Sequence, residues 1–483
     1  MNGLGGRRLD VPEDEDQWYL NAGSTLGATN FSEGDKSTRN SYLSRLNYNY
    51  QDKYFLTATG RYDGTSRLPE DNRWGFFPSV GAGWAITSEK FMDAQKTFDN
   101  LKLRVSYGKV GNDGIPSNAF IALATTNLPY FFNGAEVLNF RLEQLSDAQI
   151  VWEVTREVNL GLDFSLLKNK LSGTIDVYDR KTSDALVRIK TPSILGDDEY
   201  ITNAATFTNK GVELGLNWQD NISTDWKYNI GGNIAYNKNR VENLNGGQAI
   251  PDGNVGGQGT TTLSDNGQPI GSFYLLEVDG IFQNDAEIAS SAQPGAKPGD
   301  LRYRDVNGDK AINAQDRVFQ GSYQPKVTYG INGGLNYKTF DLSIGGYGTG
   351  GGKIYNGKKA ARGDFRDNIE TKVANNRWTP NNTNTTIPRA NLNELPASTY
   401  FLEKGDFFRI NNLTLGYTLP TGTLSTLKMQ SVRVYATVQN LATFTNYSGF
   451  TPEISSGNTL AGGIESSIYP TTRTFAFGVN VGF

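Results

Sequence analysis

The sequence predicts an all-β protein, a transmembrane antiparallel meander β-barrel. Three observations carry that expectation: apolar and polar residues alternate over many runs, most runs are long, and aromatics gather at their ends. Alternate side chains of a strand point to opposite faces. A tilted strand crosses the hydrocarbon in about 9–11 residues, whereas soluble strands mostly hold about 5–6.

The runs follow in order. Tyr48 with Tyr50, and Tyr54 with Tyr62, bracket the first pair. In Val154–Leu166 the residues Val154, Val158, Leu160, Leu162, Phe164 and Leu166 share one face, broken only by Arg156. Leu171, Ile175 and Val177 oppose Ser172, Thr174 and Asp176. Val212, Leu214, Leu216 and Trp218 oppose Glu213, Gly215 and Asn217. Trp226, Tyr228, Ile230, Ile234 and Tyr236 oppose Lys227, Asn229, Gly231 and Asn233. Val327, Tyr329, Ile331, Leu335 and Tyr337 oppose Thr328, Gly330, Asn332 and Asn336. Val432, Val434, Ala436 and Val438 oppose Arg433, Tyr435, Thr437 and Gln439. The chain closes on Phe475, Phe477, Val479, Val481 and Phe483 against Ala476, Gly478, Asn480 and Gly482. A soluble barrel turns its apolar face inward. Here the inward set would be Asn, Thr, Gly, Asp and Lys, too polar and thin for a dry core, so the apolar face is expected to meet lipid.

Composition narrows the function. There is no Cys and no His, so thiol and imidazole chemistry and a disulfide framework are excluded. A mean hydropathy of -0.48, with no apolar run near the length of a membrane helix, excludes a helical membrane protein. A net charge of -4 argues against nucleic acid, which calls for a basic face. No enzyme is expected.

The connections fix orientation. Short ones (Gln51-Asp52, Leu167–Asn169, Gln219–Asp225, Lys338-Thr339) and intermediate ones (Ser88–Asn100, with a short helical piece around Glu89–Ala94, and Pro420–Gln430) alternate with long ones. The long ones are Gly64–Gly75, Gly111–Ile150, Ser183–Thr206, Val241–Tyr323, Gly350–Asp406 and Phe444–Thr471. Bacterial barrels have short periplasmic turns and long extracellular loops, so the carboxyl terminus is expected on the periplasmic side. About thirteen strands fill residues 42–483. Single-chain bacterial barrels are even-stranded, so residues 1–41 are expected to be the remnant of an extracellular loop, and the chain the carboxyl-terminal part of a longer protein. No apolar leader follows Met1.

The segments Asn49–Leu68 (NYQDKYFLTATGRYDGTSRL), Arg73–Met92, Leu101–Ile115, Gly299–Asp309 (GDLRYRDVNGD), Asn376–Asn382 (NRWTPNN) and Val432–Glu453 resemble the TonB-dependent outer-membrane transporters of the SusC/RagA type. The resemblance implies a twenty-two-stranded, plugged barrel in the outer membrane of a Gram-negative, Bacteroidetes-like bacterium. It also implies TonB-energised import of a large nutrient, oligosaccharide or peptide, with a SusD-like surface lipoprotein as partner. The plug and TonB-contacting segment of the family precede the barrel and lie outside this sequence. The alternative is a structural or adhesive outer-membrane barrel without active transport; a soluble all-β carbohydrate-binding protein is more distant.

One constellation carries site chemistry. Asp305, Asn307, Asp309, Asn313 and Asp316 stand at positions one, three, five, nine and twelve of a loop in which Ala311 would offer its carbonyl at seven. That is the spacing of a Ca²⁺ loop, which gathers hard oxygens round one ion. It is similar to the dockerin variant that ends in Asp. Lys310 at position six replaces the usual Gly, and Asp316 is shorter than the usual Glu. An Asx-rich turn without an ion is the other reading. The Gly-rich Gly345–Gly352 has no following Lys-Ser/Thr and reads as strand, not phosphate cradle. Asp197-Asp198 reads as solvated charge. Glu143 and Asp147 flank a helical turn. Trp378, Tyr400, Phe401, Phe407 and Phe408 suit either sugar stacking or loop packing.

Overall fold

A computed structural model of the chain describes residues 2–9, 24–34, 36–133, 135–190, 199–244, 247–362, 368–391, 395–424, 429–454, 457–466 and 468–483. Thirteen strands form one antiparallel sheet in which each pairs with its sequence neighbour. They are β1 (Arg39–Tyr50), β2 (Tyr54–Thr65), β3 (Trp74–Ala85), β4 (Phe98–Asn112), β5 (Glu153–Leu166), β6 (Leu171–Lys190), β7 (Glu199–Asn221), β8 (Trp226–Leu244), β9 (Val327–Tyr337), β10 (Phe340–Gly350), β11 (Phe407–Thr418), β12 (Ser431–Thr445) and β13 (Thr474–Gly482). The expected meander is therefore present, and its first strand starts three residues before Tyr42. β1 and β13 end the sheet and are not paired with each other, so the barrel is open. Residues 2–9 and 24–34 pair as a separate hairpin.

The alternation sorts the two faces as expected. Phe475, Phe477, Val479 and Phe483 are all more than half exposed, as are Leu46, Leu415 and Ile331. The register keeps them together: Val434 faces Val479 and Ala436 faces Phe477, while Arg433 faces Asn480 and Tyr435 faces Gly478. One face of the wall is thus mainly apolar and the other mainly polar, with exceptions toward the strand ends such as Arg156 beside Lys109. Glycine lets polar-face tyrosines lie flat on the wall: a Cβ at Gly478 would collide with the Tyr435 ring, and one at Gly211 with Tyr178.

Aromatics form two rows on the apolar face. At one end Tyr62 stacks on Trp74 at 4.8 Å and Tyr42 lies beyond it. At the other, Trp226 packs on Tyr337 at 4.1 Å and Phe340 on Tyr417 at 4.7 Å. On β2 the rows are marked by Tyr54 and Tyr62, eight residues apart. That is about 27 Å along a strand, the scale of the lipid-facing band.

The short turns use left-handed backbone without glycine. Gln51 and Asp52 have φ of 54° and 53°, and Leu167, Lys168 and Asn169 have 58°, 61° and 59°. Asn49 holds the first of these by accepting the Asp52 N–H at 3.1 Å. The piece after β3 is two single 3₁₀ turns, Ile86–Ser88 and Lys90–Met92.

At the long-loop end two expectations are corrected. Ser183–Thr206 is not a loop: β6 and β7 run on as a hairpin, paired as far as Lys190 and Glu199. Beyond the bilayer their residues Ala185, Val187, Ala204 and Ala205 are buried against Val241, Leu244 and Ile270, so packing replaces lipid as the reason for the strand. Gly64–Gly75 shrinks to residues 66–73, because β2 and β3 pair up to Gly64 and Trp74. The remaining loops have structure of their own. Residues 245–326 contain a four-stranded sheet (Ile250–Asn254, Thr260–Ser264, Ser272–Leu276, Arg317–Ser322), a two-stranded one (Val278–Ile281 with Leu301–Tyr303) and a helix, Asp285–Ala289. Leu123–Phe132 pairs with Ala135–Gln144. The buried hydrophobic clusters centre on these loops and the strand ends they cover. One is built on Phe273, Leu275, Tyr355 and Phe401, another on Leu68, Ile115, Ile150 and Trp152.

Candidate functional site: the polar lumen and its mouth

The polar face carries charges that meet across strands. On β4, Arg104 forks onto Asp163 of β5 with two bonds of 2.8 Å and reaches Asp176 of β6 at 3.1 Å. On β12, Arg433 makes bonds of 2.9 and 2.6 Å to Asp341 of β10. Both sets stand near the short-turn end. Further along, Arg180 bonds Glu157 at 2.7 Å. Planar guanidinium forks match carboxylate geometry, so these pairs fix the register of neighbouring side chains. A face of this kind is wet.

The outer loops fold back into the mouth. Arg409, buried on the lumen face of β11, is bonded to Glu453 of the last loop and to Thr443 at 2.8 Å. Tyr347 of β10 donates to the same carboxylate at 2.5 Å. Asn239 on the lumen face of β8 accepts the Ile270 N–H at 2.8 Å. Deeper in the cap, the buried Glu465 accepts from the Tyr447 hydroxyl at 2.5 Å and from the Phe450 N–H at 3.1 Å. Burial, helped by that carboxylate, raises the Tyr447 hydroxyl far above its ordinary value.

The residues singled out for a cation share one loop. Lys310 takes the left-handed turn that position six demands, with φ of 62°. Asp305 accepts the N–H of Gly308 at 2.7 Å and of Lys310 at 2.9 Å. Asp309 lies between the amides of Asn307 at 3.0 Å and Asn313 at 3.4 Å. Asp316 is fully buried and accepts the Asn313 N–H at 2.8 Å and the Val306 N–H at 2.9 Å. Those backbone donors, Asn313 first, hold its carboxyl below the usual range. Ala311 donates its N–H to Asp309 at 2.8 Å. Among the described residues no three Asp, Glu or His side chains gather into a metal-holding group; any ion in this loop needs the asparagine and backbone oxygens too.

The other sequence candidates divide. Trp378 and Phe401 are buried, and Trp378 gives its indole N–H to Gln283 at 3.0 Å, so both serve packing. Phe407 is buried as well; Phe408 stacks on Tyr329. Tyr400 is left at the edge of a cavity. Asp147 binds Thr202 at 2.6 Å and ties the preceding loop to β7. The Glu143 side chain and Asp197-Asp198 lie outside the described residues. Gly345–Gly350 closes β10, where a Cβ at Gly346 would strike Phe408, and Gly351 and Gly352 follow the strand. The sequence reading missed a basic group, Lys358, Lys359, Arg362 and Lys372, beside that cavity. Its signal was the run Lys358-Lys-Ala-Ala-Arg362 in a chain of net charge -4.

A wall that is apolar outside, polar inside and capped at one end by packed loops defines part of an outer-membrane transport barrel. The chain belongs to the TonB dependent receptor-like β-barrel family, whose profile matches residues 4–441. It is 32% identical to TonB-dependent receptor P3 of Formosa agariphila over 97% of this chain and 50% of that protein. It is 30% identical to TonB-dependent receptor SusC of Bacteroides thetaiotaomicron over 92% of this chain and 44% of that protein. The RagAB peptide transporter structure superposes with a TM-score of 0.82 at 25% identity, over 98% of this chain and 50% of that one. The chain thus spans about half the length of the relatives it matches. It is an outer-membrane protein of the SusC/RagA type found in Bacteroidetes. These relatives are receptors and transporters by name, which fits the expectation of no enzyme.

Proposed function

We propose that this chain supplies wall and mouth to a TonB-energised importer of a large nutrient, an oligosaccharide or a peptide, that works with a SusD-like lipoprotein. The observation that carries the reading is the pairing of a polar lumen with ordered outer loops that turn back into it, as Glu453 does to Arg409. Loops far longer than a hairpin needs, and folded, are where binding is usually built. Membership of the receptor family supplies the energy source in this reading. The test is uptake of labelled peptide and oligosaccharide mixtures by cells lacking or carrying the full-length gene, with and without TonB, together with co-purification of the lipoprotein. Import that ignores TonB, or no import at all, replaces this reading with a structural or adhesive barrel.

The loop around Asp309 supports a second, smaller proposal, a Ca²⁺ ion held by Asp305, Asn307, Asp309, the Ala311 carbonyl, Asn313 and Asp316. Its support is the spacing of the six residues within one loop and the left-handed Lys310 at the sixth position.

A further inference from the structure

The loop between β10 and β11 carries a cavity of about 200 Å³. Cations crowd it. Lys358 and Lys359 stand on the short helix α1 (Gly357–Ala361), Arg362 follows it, and Lys372 comes from the short helix α2 (Thr371–Asn376). Of these, Lys358 is matched by Glu370 at 2.6 Å. Among the described residues Lys359, Arg362 and Lys372 make no ion pair with any carboxylate. The Lys359 Nζ donates to the Tyr400 carbonyl at 2.6 Å and lies 3.6 Å from the centre of the Tyr400 ring. A carbonyl and a ring face are partial substitutes for an anion. Burial accordingly lowers its pKa to about 8. Ile387 and Leu395 give the cavity apolar walls.

From the unmatched cations, the apolar walls and the size of the cavity, we propose that it binds a carboxylate at the end of an imported oligomer. Lys359 would meet the carboxylate at the floor, and Arg362 and Lys372 at the rim. The volume admits a terminal group and not a whole oligomer. An anion placed there gains charge-assisted hydrogen bonds with cations that, among the described residues, face no paired carboxylate. The carboxylate could belong to a peptide end or to a uronic acid, since both present the same charge and fork. For its purpose the inference rests on the import reading, but it is tested by binding alone.

The test is calorimetric titration of the full-length protein in detergent. Four probes are used: a tripeptide with free carboxyl end, its carboxyl amide, trigalacturonate and its methyl ester. One free acid is expected to bind about tenfold or more tighter than its capped form, a difference of about 1.4 kcal/mol. Which acid does so identifies the source. Lys372→Gln and Arg362→Gln, both exposed and unable to unfold the cap, should each weaken it about fivefold, and Lys359→Met should abolish the preference. Capped and free probes that bind alike, absence of binding by all four, or wild-type affinity in the three variants overturns the inference. Loss of uptake with this preference intact would sink the import reading and leave the carboxylate site standing.

Discussion

Arg409 of β11 is held by Glu453, which arrives from the last outer loop 44 residues further along the chain. The pair joins wall to cap, and the arginine is nearly inaccessible while the glutamate is one-third exposed. Removing the cation leaves a partly buried carboxylate and the Tyr347 hydroxyl facing each other. Arg409→Ala is expected to destabilise the loop by on the order of 2 kcal/mol. Limited proteolysis of intact cells should then cut within residues 446–473 before any other outer loop. An unchanged cleavage pattern would mean that the loop is held elsewhere.

The two faces of β13 should respond oppositely to charge. Phe477 is 83% exposed on the apolar face. Phe477→Arg should cost about 2–4 kcal/mol if it lies near the bilayer midplane. Ala476→Arg, one residue away on the polar face, should be tolerated. Insertion of the full-length protein, followed by heat-modifiable migration on gels, separates the two. Equal effects would contradict the assignment of faces.

Calcium should bind the loop 305–316 in the range of about 10⁻⁴–10⁻³ M expected of an extracellular site. One calorimetric site lost in Asp305→Ala is the expected result. Silence at those concentrations leaves the loop an Asx turn closed by its own hydrogen bonds.

Lys359 gives a pH signature. Its pKa is lowered to about 8 chiefly by burial; Lys372 pushes the same way, while Glu403 and Glu370 oppose it. Lys358, Arg362 and the Tyr400 ring also face it. The free side chain titrates near 10.4. Between about pH 8 and 10.4 the unfolded chain therefore holds the extra proton, and this group makes stability rise with pH across that window. Melting curves of wild type and Lys359→Met should diverge there, the wild type gaining. Affinity for a carboxylate should fall over the same range, because the unbound lysine loses its charge. A Lys359→Met protein with the wild-type pH slope would remove the basis for both statements.

Most of the wall was legible, because the bilayer imposes a strict period of two and each apolar residue answers to lipid, not to a distant partner. Tyr54, Trp226 and Phe477 declare their face with no knowledge of the rest of the fold. The failures begin where that rule stops. Val187 and Ala205 alternate as strand residues do, yet they lie above the membrane, and only Val241 and Ile270 explain their burial. Tyr355 and Phe401 are 46 positions apart and meet in a core that no local period announces. The cation loop was legible by spacing alone; that Lys310 could adopt a left-handed turn was not. The basic cavity was missed because Lys358, Lys359, Arg362 and Lys372 come from two short helices and the residue after the first, and only tertiary packing brings them round one cavity.

Wall and cap are joined by different glues. The wall holds through its backbone ladder, and its greasy side chains look outward to lipid. The cap holds through Phe273, Leu275, Tyr355 and Phe401, packed against each other in water. Urea acts on the second kind of contact while a ladder shielded by lipid resists it. The mouth should therefore melt as a separate unit, at lower denaturant than the wall. The same division lets most of the cap vary in sequence while the ladder keeps its pairing, except where Arg409, Asn239 and the β6–β7 ends are tied into it.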